Sequence, residues 1–448
     1  MKKIILGSLL AASLLFGAGE KQVEITQADV ETQNKTSDAS MQNITPKSLE
    51  DFFDEFKDEF GIEYNIPNEK GMVFYKGEAE VLVKEKDADF AKALQNAYNK
   101  AMLNLQGEFI KDTFGNIATK SINSLMSDNS TNAKEFEPLE KGGIFAQIAR
   151  KISQLTGAQL DAALREYGIT PDDLTLERKK TLFKETFVKE SLTTAFGNMS
   201  GLIAVRTAIT QTKRGNYQIG VIAVVSDKTR QIANDMRLKR ASKITGKGGK
   251  PIMEYLPKDP KGFLQEYGTR LVYDEKGAPV IISYGNWGYL ANSTDSRILD
   301  RLERVAKDTA SQQADAAIIE FIKTSVSYSS KTEVGEMLDH SVKNITNQLT
   351  NESTQEEAVI ANTIDKMAQT ISTKASGQIR GITTLKRWNV TDENGIEHVG
   401  VVRAYSYDTY LAASAAIAPI KAKAPVKKEA TGTKIERRSN PVNTIDDF

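Results

Sequence analysis

The feature that most constrains this chain is that it runs through one pattern twice. Phe56-Lys57-Asp58-Glu59-Phe60-Gly61 is answered by Phe263-Leu264-Gln265-Glu266-Tyr267-Gly268, and Asn68-Glu69-Lys70-Gly71 by Asp274-Glu275-Lys276-Gly277. Gly77-Glu78-Ala79 lines up with Gly285-Asn286-Trp287, Asp87 with Asp295, and Glu108-Phe109-Ile110-Lys111 with Glu320-Phe321-Ile322-Lys323. Further on, Gly201-Leu202-Ile203 with Thr207 matches Gly377-Gln378-Ile379 with Thr383, and Gly220-Val221 with Ser226 matches Gly400-Val401 with Ser406. Anchors that recur in one order point to a tandem duplication, so the fold must be one that a chain can build twice.

Each anchor has a local meaning. Asn68 to Gly71 and Asp274 to Gly277 sit between apolar segments, as hairpin turns do when glycine supplies a positive φ. A long amphipathic helix follows each. Phe90, Leu94, Ala97, Ala101, Leu105 and Phe109 mark the first; Ile298, Leu302, Val305, Thr309, Gln313, Ala317 and Phe321 mark the second, with two polar interruptions. Asp87 and the Ser293-Thr294-Asp295 cluster are the expected N-caps. Each copy closes with a second hairpin, Leu202–Thr212 with Tyr217–Val225 and Ile379–Val390 with His398–Tyr405, and then a helix from Asp227 or Tyr407. The unit reads β-β-α-(α)-β-β-α. It predicts an α+β fold of antiparallel sheets with helices packed on one face.

The expected divisions are a first unit over 48–240, a linker over 241–256 and a second unit over 257–418. The linker carries Gly246-Lys247-Gly248-Gly249-Lys250-Pro251, which fails the phosphate-loop pattern because Pro251 stands where Ser or Thr is needed. The first copy is the longer, and its excess falls within about 113–200. There Gly115 to Lys134 reads as loop, Ile144–Leu155 and Leu160–Tyr167 as helices, and Thr170-Pro171-Asp172-Asp173 as a further helix start.

The two ends read differently. Met1-Lys2-Lys3, the apolar run Ile4 to Phe16 and Gly17-Ala18-Gly19 make a secretory signal peptide over 1–19. That run rises only about 20 Å as a helix, short of a bilayer core of roughly 30 Å. Polar residues 20–47 read as a disordered leader, and 419–448 as a disordered basic Pro/Ala/Lys tail. A secreted, periplasmic or outer-membrane-associated protein is expected, with no transmembrane helix after cleavage.

Composition removes much chemistry. Lys and Arg number 59 against 59 Asp and Glu, so no basic surplus exists for nucleic acid. With no cysteine and only His340 and His398, thiol catalysis and multi-histidine metal sites are excluded, and no cofactor is implied. Asp51 to Phe60 is dense in carboxylates, yet Phe52, Phe53, Phe56 and Phe60 give it a buried helical face with its acids in solvent. The expected role is non-catalytic binding or assembly with an envelope protein or glycan partner. The alternatives are an envelope hydrolase using a carboxylate pair and an assembly subunit associating through its long helices.

Gly77-Glu78-Ala79 ending a strand, followed by a helix with Ala88, Ala91, Ala93, Ala97 and Ala101, resembles the bacterial outer-membrane lipoprotein and flagellar-assembly domains called LPP-twenty-like. The second copy keeps Gly285 but has Trp287 in place of the alanine. The resemblance implies a non-catalytic envelope protein and supplies no active-site residues. The family's lipid-attachment cysteine is missing here, so membrane anchoring does not carry over.

The two copies differ most at three aromatics. The alignment pairs Trp388 with Thr212, and Tyr407 and Tyr410 with Asp227 and Arg230. Flat rings replacing polar residues suggest a partner- or glycan-contacting patch on the second unit. The alternative is that these rings pack against the rest of the chain. Trp287 and Tyr289 pair with Ala79 and Val81 and are expected in the core.

Overall fold

The computed structural model describes residues 48–87, 89–127, 144–291, 294–322, 333–348, 362–364, 366, 379–392 and 395–416. The signal peptide (1–19), the leader (20–47) and the tail (419–448) lie outside them.

Helix α1 (Leu49–Phe60) opens on a reciprocal cap between Ser48 and Asp51 and ends on Gly61 in the left-handed region, φ 59°. Strand β1 (Val73–Glu80) follows, then the long helix α2 (Phe90–Ser127). Helices α3 (Ile144–Ser153), α4 (Gly157–Glu166) and α5 (Leu176–Gly197) fill the expected insertion. The closing hairpin of β2 (Ile203–Gln211) and β3 (Tyr217–Val225) leads to α6 (Asp227–Arg237), capped by Ser226. The later half has two 3-10 turns, Ile252–Tyr255 and Pro260–Gln265, then β4 (Gly268–Tyr273), β5 (Pro279–Leu290), α7 (Ser296–Ile322) and α8 (Glu333–Gln348). It ends with β6 (Thr383–Thr391), β7 (Ile396–Tyr405) and α9 (Tyr407–Ala415), capped by Ser406.

The fold is α+β with two antiparallel sheets, ordered β1-β3-β2 and β4-β5-β7-β6. Leaving out β4, the second order repeats the first. Each closing hairpin carries a bulge in its first strand, between Ala204 and Arg206 and between Thr384 and Lys386. The two turns also agree. Asn68 Oδ1 accepts from the N–H groups of Lys70 and Met72, and Asp274 Oδ1 from those of Lys276 and Ala278.

Paired glycines set the helix packing. A β-carbon on Gly77 would run into the carbonyl of Ala101, and one on Gly285 into that of Ala310. Only glycine lets α2 and α7 lie this close to their strands. On the opposite sheet faces, Gly220 sits beneath Leu49, Phe52 and Phe53 of α1, whereas Gly400 sits beneath the ring of Trp388.

Several expectations need correction. The turn at Asn68–Gly71 forms, but no strand precedes it. Tyr64 makes only an isolated bridge to Phe74, because Gly61 and Pro67 leave too little regular backbone for a ladder. Gly115 to Ser127 is helical, since Phe114, Ala118 and Ile122 carry the buried stripe onward at four-residue steps. Thr170 to Asp173 forms a turn. The helix starts later, where the Thr175 hydroxyl accepts from the Arg178 N–H. In α7 the buried stripe is Ala306, Ala310, Ala314, Ile318 and Ile322, while Ile298 and Val305 are about half exposed. Small alanines, rather than the larger apolar residues, face the strand because Gly285 demands close approach.

Units 48–240 and 257–418 are not separate lobes. One apolar cluster unites Phe53, Phe74 and Ile222 with Leu271, Ile282 and Val402, and Ala91 of α2 packs on Gly288 of β5. Nor is 241–256 a free linker. The Gly246 N–H donates to Gly277 O at 2.9 Å, the Tyr255 hydroxyl donates to Tyr273 O at 2.8 Å, and Tyr255 and Leu256 are buried. The basic glycine run is a strap laid along the β4–β5 hairpin, held at its two ends by the Gly246 and Lys250 N–H groups, which donate to Gly277 O and Tyr273 O.

Candidate functional site

The aromatics singled out from sequence do not form one patch. Trp388 is 7% exposed and stacks on Phe263, with ring centroids 5.5 Å apart. Pairing it with Thr212 was an error of register. Trp388 lies opposite Gly400 in the ladder, the place that Ala208 holds opposite Gly220. Trp388 is therefore a core residue, and its Nε1 finds no acceptor among the described residues. Tyr407 and Tyr410 do meet, on the first turn of α9, with centroids 6.4 Å apart. Both are half-buried, and Lys239 Nζ lies 5.5 Å from the centre of the Tyr410 ring. Trp287 is half-buried on the other face of its sheet, against Ala310, Ala314 and Val401, and Tyr289 is likewise half-buried. His398 faces Asp392 across the β6–β7 turn at 3.0 Å. Among the described residues no three potential metal ligands cluster.

Two concave regions stand out among the described residues. The first is an apolar recess of about 620 Å³ where α1, the loop after it, the first sheet and β4 converge. Its walls include Phe56, Phe74, Val205, Val224 and Leu271. Phe60 and Ile66 also line it and are 37% and 44% exposed. Glu63, Glu69, Lys70 and Lys228 supply charges of both signs to the same surface. An apolar floor with a charged rim is the usual make-up of an interface anchor pocket.

The second is a polar cavity of about 740 Å³ bordered by α2 and α7. The two helices are tied across it by Gln106 Nε2, which donates to Glu320 Oε1 at 2.6 Å. Gln95 Nε2 donates to Asn99 Oδ1 at 3.1 Å. Tyr98 stacks on Tyr267 with centroids 5.8 Å apart, and its hydroxyl occupies space that Gly268 leaves by lacking a side chain. Burial pushes both tyrosine hydroxyls above their ordinary pKa. The amide oxygens of Gln95, Gln106 and Gln313 are buried, and no donor among the described residues reaches them. Each such group costs about 1–3 kcal/mol when left unpaired. Sequence reading missed this site. Its one trace was Gln313, a polar interruption on the apolar stripe expected for α7.

Comparison with known proteins adds fold but no activity. A family described as a domain of unknown function (DUF6844) matches residues 145–238, which span α3 to α6. No curated protein matches the chain. The crystal structure of a hypothetical protein from Francisella tularensis superposes with a TM-score of 0.51 at 21% identity, over 85% of this chain and 99% of that one. At that identity the likeness is one of fold.

Proposed function

We propose that the chain is a secreted, periplasmic protein of the bacterial envelope with a non-catalytic binding or assembly role, and that it holds a partner protein through the apolar recess. The observation that carries this reading is the recess itself, with Phe60 and Ile66 exposed at an apolar hollow of about 620 Å³. A partner that inserts a branched or aromatic side chain there gains desolvation, while the mixed charges around it select orientation. The signal-peptide pattern and the LPP-twenty-like strand and helix support the envelope setting. In the polar cavity the described lining has one carboxylate, Glu320, so that cavity does not supply the two that a carboxylate-pair hydrolase needs.

The test is a photo-crosslinking amino acid at Ile66 in the full-length protein, expressed in its own envelope and followed by mass spectrometry. A single defined envelope protein should be trapped, and Phe60→Asp should abolish the adduct while leaving the circular dichroism unchanged. No adduct, or one indifferent to Phe60→Asp, sinks the reading. Fractionation and the mass of the processed N-terminus test the compartment in the same cells.

A further inference from the structure

We infer that the polar cavity between α2 and α7 is a second binding site, for a neutral saccharide. The unmatched groups there are all acceptors: Oε1 of Gln95, Gln106 and Gln313. Gln95 and Gln106 are each 3% exposed. Buried polar atoms in folded proteins nearly always have partners, so three unpaired amide oxygens around one cavity ask for a ligand that brings several donors. The orientation of Gln106 is set by its bond to Glu320, so the atom left over is the oxygen and not the nitrogen.

A cationic amine supplies donors too, but it needs a counter-charge. Glu320 is the single carboxylate of the described lining and shares that surface with two exposed lysines, Lys100 and Lys366, so the lining carries no negative surplus. Sugar hydroxyls donate to carboxamide oxygens and accept from amide N–H groups such as those of the asparagines here, with no net charge to desolvate. Tyr98 and Leu202 give the lining apolar surface for the C–H face of a ring. The volume of about 740 Å³ falls within the range of small-ligand sites. This site is distinct from the apolar recess and stands whether or not that reading does.

The test uses the full-length protein with N-acetylglucosamine, its β-1,4-linked trimer and maltotriose, measured by saturation-transfer NMR and calorimetry, with spermidine as the cationic comparison. At least one saccharide should bind saturably. Gln313→Met, which removes one unpaired acceptor from a half-buried position, should weaken it tenfold or more, and Gln106→Met likewise wherever that variant retains the wild-type circular dichroism. Ile66→Asp, in the recess, should leave saccharide affinity unchanged. The proposal is overturned if none of the three saccharides saturates, if Gln313→Met binds as tightly as wild type, or if spermidine binds and the sugars do not.

Discussion

The outer faces of the two sheets solve one problem with different parts. Gly220 and Gly400 each open a gap in a central strand. In the earlier half a three-turn helix fills it, with Leu49, Phe52 and Phe53 of α1 closing over the glycine. In the later half the matching segment is the short 3-10 turn Pro260–Gln265, which brings Phe263 but little else. Trp388 fills the remainder, from a strand position where the earlier half has Ala208. A residue unlike its counterpart can mark function, and here it marks packing. The large ring occupies over Gly400 the space that α1 occupies over Gly220.

That comparison can be broken at its largest effect first. Trp388→Ala should destabilise by about 3–5 kcal/mol, as aromatic core truncations do, and Phe53→Ala by a similar amount if α1 does the same work. Urea unfolding of the two variants side by side decides this; a loss at Phe53 alone would mean that Trp388 is not the plug. Gly400→Ala should cost less, about 1–3 kcal/mol, because the new methyl overlaps a side-chain ring and not the backbone. A thermal melt lowered as far as that of Trp388→Ala would mean that the ring is fixed in place.

Trp388→Phe should cost less than half of what alanine does, since it keeps a stacking ring and removes an N–H with no acceptor. The smallest effect sets the strand ends apart. The later half ends β7 on Tyr405 where the earlier ends β3 on Val225. Burial, followed by Tyr410, pushes the Tyr405 hydroxyl up to about 12. A folded-state pKa above the unfolded value of about 10 gives stability that is fully present below pH 10 and lost as pH rises towards 12. Tyr405→Phe gives up the hydroxyl's bond to Met236 O at 3.3 Å, about 1 kcal/mol at neutral pH, and should make the alkaline loss between pH 10 and 12 shallower. Denaturation series at pH 8 and pH 11.5 measure it.

Much of the fold was legible because its signals are local. The turns at Asn68 and Asp274, the closing hairpins, and the helices that start at Asp227 and Tyr407 each follow from a few neighbouring residues. What failed depended on partners far along the chain. Large apolar residues usually mark the buried face, which places the stripe of α7 on Ile298 and Val305, yet the opposing Gly285 selects the alanines. Trp388 was misplaced because an alignment without strand bulges cannot fix register. Of the polar cavity, Gln313 alone interrupted an expected pattern. Gln95 and Gln106 give no sign in sequence, since their burial depends on helices brought together from both halves.

The apolar cluster shared between the sheets has a consequence for how the chain is made. Phe74 and Ile222 of the first sheet belong to one apolar cluster with Leu271, Ile282 and Val402, which are synthesised much later. At translation rates of about 5–20 residues per second, the earlier half waits on the order of ten seconds or more for its cover. During that interval it presents a sticky sheet face to everything around it. A truncated chain ending in the strap would keep that face permanently, so its natural fate is aggregation or capture by a chaperone rather than life as a stable half-protein.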